Sequence, residues 1–361
     1  MTKLFEKPVR QDWEGFVRCI GREGTPERVH GIELFLDGEV QDAICARFSL
    51  DDGLNPSDRA YPLERQIRLQ RFLGYDYVGA GVQGVEMSLL TPRITEDADS
   101  DLKRERGRGF LETGAGPITS WETFEAYPWP DPAKADTWML EWHQQHLPDD
   151  MCIVAGGGQF AEFLSWLMGY ETLCIALCEQ PDLVAAVRDR IWETDRAILD
   201  ITLQFDRVKA IWGSDDMGFK GGTLLSPDQL REHVLPGHKY SAQRCHEAGR
   251  RYILHSCGEL SAIMDDLIDD VRIDGKHSYE DVILPVTEAK QRYGGRISIL
   301  GGIDVDFLCR ADEAAVRRRV RETLDQCMPG GGYLLGTGNS VANYIPLDNY
   351  LAMLDEGRRF A

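Results

Sequence analysis

Positive charge is scarce in this chain. Lysine and arginine number 40 against 60 aspartates and glutamates, a formal net charge of −20 over 361 residues. A surface this acidic repels polyanions, so neither nucleic acid nor an anionic membrane is expected as a partner. Long apolar runs are missing as well. No stretch approaches the roughly 20 residues that cross a bilayer, and residues 1–8 hold no apolar core of signal-peptide length. Cysteine is present but unpatterned: nine residues, at 19, 45, 152, 174, 178, 245, 257, 309 and 327, with no framework spacing. That excludes a small disulfide-built fold and fits a cytoplasmic chain with reduced thiols. Cys174 and Cys178 stand four apart in a helical pattern. They are expected to be buried packing thiols, with half a metal site as the alternative. No repeat or low-complexity linker divides the sequence, so a single domain over 1–361 is expected.

What is present is alternation. Short β-rich apolar runs fall near 32–36, 77–80, 152–155, 210–213, 252–255, 271–274, 298–301 and 333–335. Helical patterns cover 61–73, 160–168, 181–205, 228–248, 259–269, 281–293, 312–327 and 347–358. Eight β/α units imply an α/β fold of the (β/α)8 TIM-barrel type. An open doubly wound sheet usually carries a Gly-rich phosphate turn after its first strand. Asp37-Gly38-Glu39-Val40 is not such a turn. Ser226-Pro227-Asp228-Gln229 reads as a helix start with a capping box. In 312–327, Val316, Val320 and Leu324 form an inner stripe, and Arg317, Arg318, Arg319 and Arg321 are expected on a solvated outer face. The segment 91–149, rich in Trp, Pro and charge, is a long excursion between strands two and three, expected to act as a lid or interface.

In such a barrel the reacting groups come from the C-terminal strand ends. His255-Ser256-Cys257 is the most informative tripeptide there. Its imidazole and sulfur point to the same side, and together they suit Zn²⁺ as ligands. The bland alternative is a buried cysteine beside a hydrogen-bonded histidine. Asp215, Asp216 and His277 are the candidate catalytic acids and bases; the aspartates could instead cap a loop. Gly157 and Gln159, in a Gly-rich strand end, let bare backbone approach a ligand or make a tight turn. With Glu33, Asp304 and Asn339 they make up the candidate substrate-binding set. Glu33 lies inside an apolar run. Facing inward it must be paired, and a metal or a cationic substrate group would serve. So dense a set of acids and imidazoles favours an enzyme over a binding module.

These residues resemble the uroporphyrinogen decarboxylase superfamily, and within it the branch of corrinoid-dependent methyltransferases such as the methylcobalamin:coenzyme M methyltransferases. The likeness runs from about residue 30 to the C-terminus. It is carried by 158–171, by Asp215-Asp216-Met217-Gly218 leading to Leu225-Ser226-Pro227, and by Leu235-Pro236. It continues through His255-Ser256-Cys257-Gly258, Leu300-Gly301-Gly302-Ile303-Asp304 and Tyr344-Ile345-Pro346. The resemblance implies a (β/α)8 barrel and two chemistries. The decarboxylases hold a porphyrinogen with N-terminal arginines and a barrel aspartate. This chain has Glu33-Leu34-Phe35-Leu36-Asp37 and Gly79-Ala80-Gly81-Val82 where those should lie. The methyltransferases bind zinc through H-x-C and a second cysteine after strand eight. His255 and Cys257 match the first part; Asn339 stands at the place of the second cysteine, so either a carboxylate such as Glu33 or Asp216 completes the shell or the site has lost its metal. The implied activity is methyl transfer between a small substrate or acceptor, of thiol or tetrahydrofolate type, and a corrinoid carried by a separate protein. A metal-free decarboxylase or lyase using Asp215, Asp216, His255 and His277 is the alternative. A homodimer is plausible because related barrels often pair.

Overall fold

The structure, a computed structural model, describes residues 4–97, 101–104, 107–110 and 114–360. Seven strands form one parallel sheet in chain order: β1 Tyr77–Gly79, β2 Cys152–Gly157, β3 Val208–Ser214, β4 Arg251–His255, β5 Gly275–His277, β6 Ser298–Leu300 and β7 Tyr333–Leu334. Each crossover carries helix, so the apolar strands are covered and read as near-continuous hydrophobic runs. The sheet curls as a TIM barrel does.

The expected first strand, 32–36, is a stave without a regular ladder. It runs parallel to the chain beyond β7 through the isolated bridges Gly31↔Leu335 and Leu36↔Val341. Ile32 N–H donates to Leu335 O at 2.8 Å and Val341 N–H to Phe35 O at 2.9 Å. Toward β1 a side chain makes the link. The Tyr77 hydroxyl accepts from Glu33 N–H and donates to Glu33 O, both at 2.9 Å.

Three other boundaries move, each for a local reason. The sixth strand is 275–277, not 271–274, because a π-helical turn Asp266–Val271 takes up the earlier residues and Arg272 follows it at φ 66°. The expected 228–248 helix breaks at Val234 into Pro227–His233 and Leu235–Glu247. Pro236 has no N–H to donate and crowds the carbonyl four residues back. The 281–293 helix begins only at Val286, after Pro285. Helices Trp13–Ile20, Gly38–Phe48 and Val305–Arg310 were not expected, whereas the helical pattern around Cys174 and Cys178 is helix Tyr170–Glu179.

Cys174 and Cys178 are exposed, against expectation. Helix Tyr170–Glu179 turns Leu173 and Ala176 inward, a stripe that leaves residues 174 and 178 outside. Nor is the arginine run simply solvated. Arg317 donates to Asp355 at 2.8 Å and Glu356 at 3.2 Å, two nearly buried acids of the last helix, Leu347–Arg359. Among the described residues no single helix is long and apolar enough to cross a membrane. The bent pair Phe160–Met168 and Tyr170–Glu179, turned by 91°, meets that measure by composition alone. Its Leu164, Leu167, Met168 and Leu173 are buried in the core.

In the excursion, strands Arg93–Thr95 and Arg108–Phe110 pair antiparallel. Arg104 and Arg108 reach Asp37 at 2.9 and 3.3 Å. Arg108 also donates to Asn343 Oδ1 at 2.7 Å, and Asn343 Nδ2 donates to Asp97 at 2.6 Å. Asp37 and Asn343 are buried at the ends of the first and last staves, so this latch fixes the hairpin beside the barrel mouth. Arg108→Ala is expected to raise proteolytic cleavage within 93–110 roughly ten-fold, since lost charged hydrogen bonds of about 1.5 kcal/mol favour local opening. The melting temperature of the barrel should barely move. Unchanged cleavage would show that the latch holds nothing.

Candidate functional site

Two neighbouring strand ends bring the three candidate ligands together. His255 is the last residue of β4, Cys257 lies two beyond it, and Asp216 lies two beyond β3. The Nε2 of His255 is 3.4 Å from Cys257 Sγ and 3.4 Å from Asp216 Oδ1. All three ligand atoms lie within 4.8 Å of one another. Asp216 is held in place because its Oδ1 also accepts the Cys257 backbone N–H at 2.8 Å.

Hydrogen bonds behind His255 decide which face it presents. Its Nδ1 is 2.7 Å from Nδ1 of His277, whose Nε2 is 3.1 Å from Thr337 O. A carbonyl can only accept, so His277 Nε2 carries the hydrogen and His277 Nδ1 is the acceptor. His255 Nδ1–H therefore donates, and Nε2 is the nitrogen turned to Asp216 and Cys257. Burial, with His255 and Lys276 adding to it, holds His277 neutral, well below the ordinary histidine range. An imidazole lone pair and a carboxylate oxygen 3.4 Å apart repel unless a cation lies between them, either a proton on Nε2 or a metal ion. One nitrogen, one sulfur and one oxygen in this arrangement fit Zn²⁺ with a coordination position left open. The relay through His277 is the outer support such a ligand requires.

The sulfur is surrounded by donors. Asn339 Nδ2 lies 3.2 Å from Cys257 Sγ and Ser278 Oγ 3.5 Å from it. Ser278 takes φ 84° to get there. Burial, then Asp216, pushes the Cys257 thiol up to about 12, so a nearby cation is what would let a thiolate form. Beneath the loops Lys276 is buried, and its Nζ donates to the carbonyls of Ser256, His277 and Ser278 at 3.1, 3.2 and 2.8 Å. Burial lowers this ammonium to about 8. It ties together the two loops that bear the histidines and the cysteine.

The other expected residues fall elsewhere. Asp215 is fully buried and turned away from His255. Its oxygens accept Ala161 N–H at 2.9 Å and Glu162 N–H at 2.8 Å, and lie 2.9 Å from His238 Nε2. It caps helix Phe160–Met168 in place of acting at the mouth. His277, expected as an acid or base, has both nitrogens committed and is a positioning residue. Asp304 caps helix Val305–Arg310 through Phe307 N–H and also accepts Asp281 N–H, both at 2.9 Å. Gly157 faces the helical layer: a Cβ there would point at Ile211 and Asp195. At Gly158, φ is +65° and a Cβ would stand 2.4 Å from the Tyr252 hydroxyl, so the Gly-rich segment is a tight, closely packed turn. Gln159 donates to Glu162 Oε2 at 3.3 Å.

Glu33 faces the barrel interior, and its partner is a protein group, not a metal or a substrate cation. Oε1 accepts Thr337 N–H at 3.0 Å, and Oε2 is 2.6 Å from Thr337 Oγ1. That hydroxyl also meets Asn339 O. One hydroxyl hydrogen serves one acceptor, so a protonated Glu33 that donates to Thr337 Oγ1 satisfies both. Burial pushes Glu33 up to about 8, in agreement.

Glu162 was not foreseen. It stands in the first turn of helix Phe160–Met168, and burial, then Asp215 and Asp216, raises it to about 8. An acid in a first helical turn ordinarily complements the dipole. Only the approach of β3 sets this one beside another carboxylate.

Residues 115–360 match the family model described as uroporphyrinogen decarboxylase (URO-D). The uroporphyrinogen decarboxylase of Cupriavidus necator is 35% identical over 82 residues, covering 22% of this chain and 22% of that protein. That of Cupriavidus pinatubonensis is 31% identical over 84 residues, covering 22% and 23%. The chain thus spans about a fifth of the length of the curated relatives it matches. A solved methyltransferase from Methanosarcina mazei superposes with a TM-score of 0.65 at 17% identity, over 96% of this chain and 98% of that one, which shows a shared fold.

Proposed function

This chain belongs to the uroporphyrinogen decarboxylase family, and from that premise we propose a zinc-assisted enzyme that moves a methyl group between a small substrate or acceptor and a corrinoid carried by a partner protein. The acceptor is of thiol or tetrahydrofolate type. The observation that carries the proposal is the convergence of His255 Nε2, Cys257 Sγ and Asp216 Oδ1 at the mouth of the barrel, with the histidine tautomer set from behind. Zinc held by His255, Cys257 and Asp216 would supply a Lewis acid toward an anionic acceptor. The chain's own residues do the rest. His277 orients His255, Asn339 and Ser278 direct hydrogen bonds at the sulfur, and Asp216 counters charge. The end of the first stave and the loops after later strands expose Phe35, Phe219, Val282 and Tyr344, by 53, 54, 68 and 39%. An apolar rim around a reactive centre suits a docked protein that brings the methyl group.

A second reading, a metal-free carboxy-lyase of a small substrate, is favoured by Glu162. A carboxyl kept protonated near neutral pH can protonate the carbanion left when CO₂ departs. Elemental analysis of the purified protein, with demethylation of methylcobalamin followed by absorbance, separates the two. The first requires about one zinc per chain and acceptor-dependent demethylation. Fully active protein free of zinc would overturn it. Phe219→Glu and Val282→Glu are expected to raise the KM for a methylated corrinoid protein about ten-fold or more, leaving zinc content and turnover of free methylcobalamin unchanged. No change in that KM would remove the docking role of the rim.

A further inference from the structure

The loop beyond β7 does more than close the barrel, and Thr337 is its hub. The Thr337 carbonyl fixes the His277 tautomer, its backbone N–H and hydroxyl take up Glu33, and its hydroxyl meets the Asn339 carbonyl. Asn339 then reaches the sulfur. Its orientation is set, because Oδ1 accepts Ser340 N–H at 2.7 Å, leaving the NH₂ group toward Cys257 Sγ at 3.2 Å. In this orientation the amide turns its NH₂ group, not its oxygen, toward the three ligand atoms.

We infer that Asn339 is a positioning residue for Cys257: its N–H donates to the sulfur, draws charge from it and leaves the fourth face of the site open. The inference rests on the zinc reading for its purpose but not for its geometry. A sulfur that accepts an N–H bond gives less charge to a metal and is a weaker nucleophile toward alkylation. In an enzyme that handles methyl groups, this spares the ligand cysteine from becoming the methyl acceptor.

Two measurements test it. In metal-free protein labelled with ¹⁵N-asparagine, the Asn339 side-chain NH₂ resonance should move on Cys257→Ala. A resonance that stays in place overturns the contact, whatever the metal content. With Co²⁺ as the probe, Asn339→Leu should shift the sulfur-to-cobalt charge-transfer band to lower energy, because the sulfur lone pairs are no longer stabilised. The same variant should weaken Zn²⁺ binding about 10- to 100-fold in chelator competition, because a sulfur no longer held toward His255 and Asp216 must be reoriented, a cost that outweighs its greater charge donation. Asn339→Cys should instead tighten Zn²⁺ binding and strengthen the band by adding a second thiolate. A merely structural role would lower the melting temperature of Asn339→Leu and leave the band where it was, which would also overturn the inference. Wild-type protein that takes up neither Co²⁺ nor Zn²⁺ sinks the zinc reading, while the resonance still decides the role of Asn339.

Discussion

His255→Ala, Cys257→Ala and Asp216→Ala are each expected to strip the protein of zinc and to abolish methyl transfer. Loss of an outer hydrogen-bond partner alone weakens a metal site about 10- to 100-fold, so loss of a direct ligand should cost more than about 100-fold in Zn²⁺ affinity. The neighbouring aspartate should behave in the opposite way. Asp215→Ala leaves the three ligand atoms in place but uncovers two backbone N–H groups and an imidazole in the core. Breaking a buried polar cluster of this kind costs about 3–5 kcal/mol of stability. The expected pattern is therefore a folded, zinc-free Asp216→Ala and a destabilised Asp215→Ala that retains zinc whenever folded. Metal analysis beside urea denaturation checks both. Zinc retained in His255→Ala would mean that the metal, if any, lies elsewhere.

The second large effect concerns pH. Burial holds the Glu33 carboxyl up to about 8 in the folded chain, whereas an unfolded chain restores it to about 4.3. Between those values the folded state carries one proton more than the unfolded state. Stability linked to Glu33 is thus full below about pH 4 and declines as pH rises toward about 8, by on the order of 5 kcal/mol in all. Glu33→Gln imitates the neutral acid. Its Oε1 can accept Thr337 N–H and its NH₂ can donate to Thr337 Oγ1. Urea unfolding from pH 5 to 9 should show wild type losing stability relative to the variant, the two nearly equal at pH 5 and the variant ahead at pH 9. Parallel curves would show that Glu33 ionises freely. Glu162, which burial also raises, gives a decline of the same sign in both proteins, so the difference between them isolates Glu33.

The pattern of apolar runs and helical stripes was enough to determine the barrel, since burial of one face per element leaves few ways to stack alternating β and α segments. It also determined that His255 and Cys257 share a side, because side chains two apart on an extended chain do. Adjacent Asp215 and Asp216, by the same alternation, had to face opposite ways, but which one faced the mouth depended on the register of β3 against β4. Their exchange of roles, a helix cap and a candidate ligand, was settled by where helix Phe160–Met168 begins. Glu33 could be recognised as a residue needing a partner. That the partner is Thr337, 304 positions away, follows only from bringing the first and last staves side by side. Asn339 likewise meets Cys257 across 82 residues. Periodicity fixes which face a side chain occupies, because it is local. Hydrogen-bond partners across a closed sheet depend on register and loop path, which the folded chain alone decides.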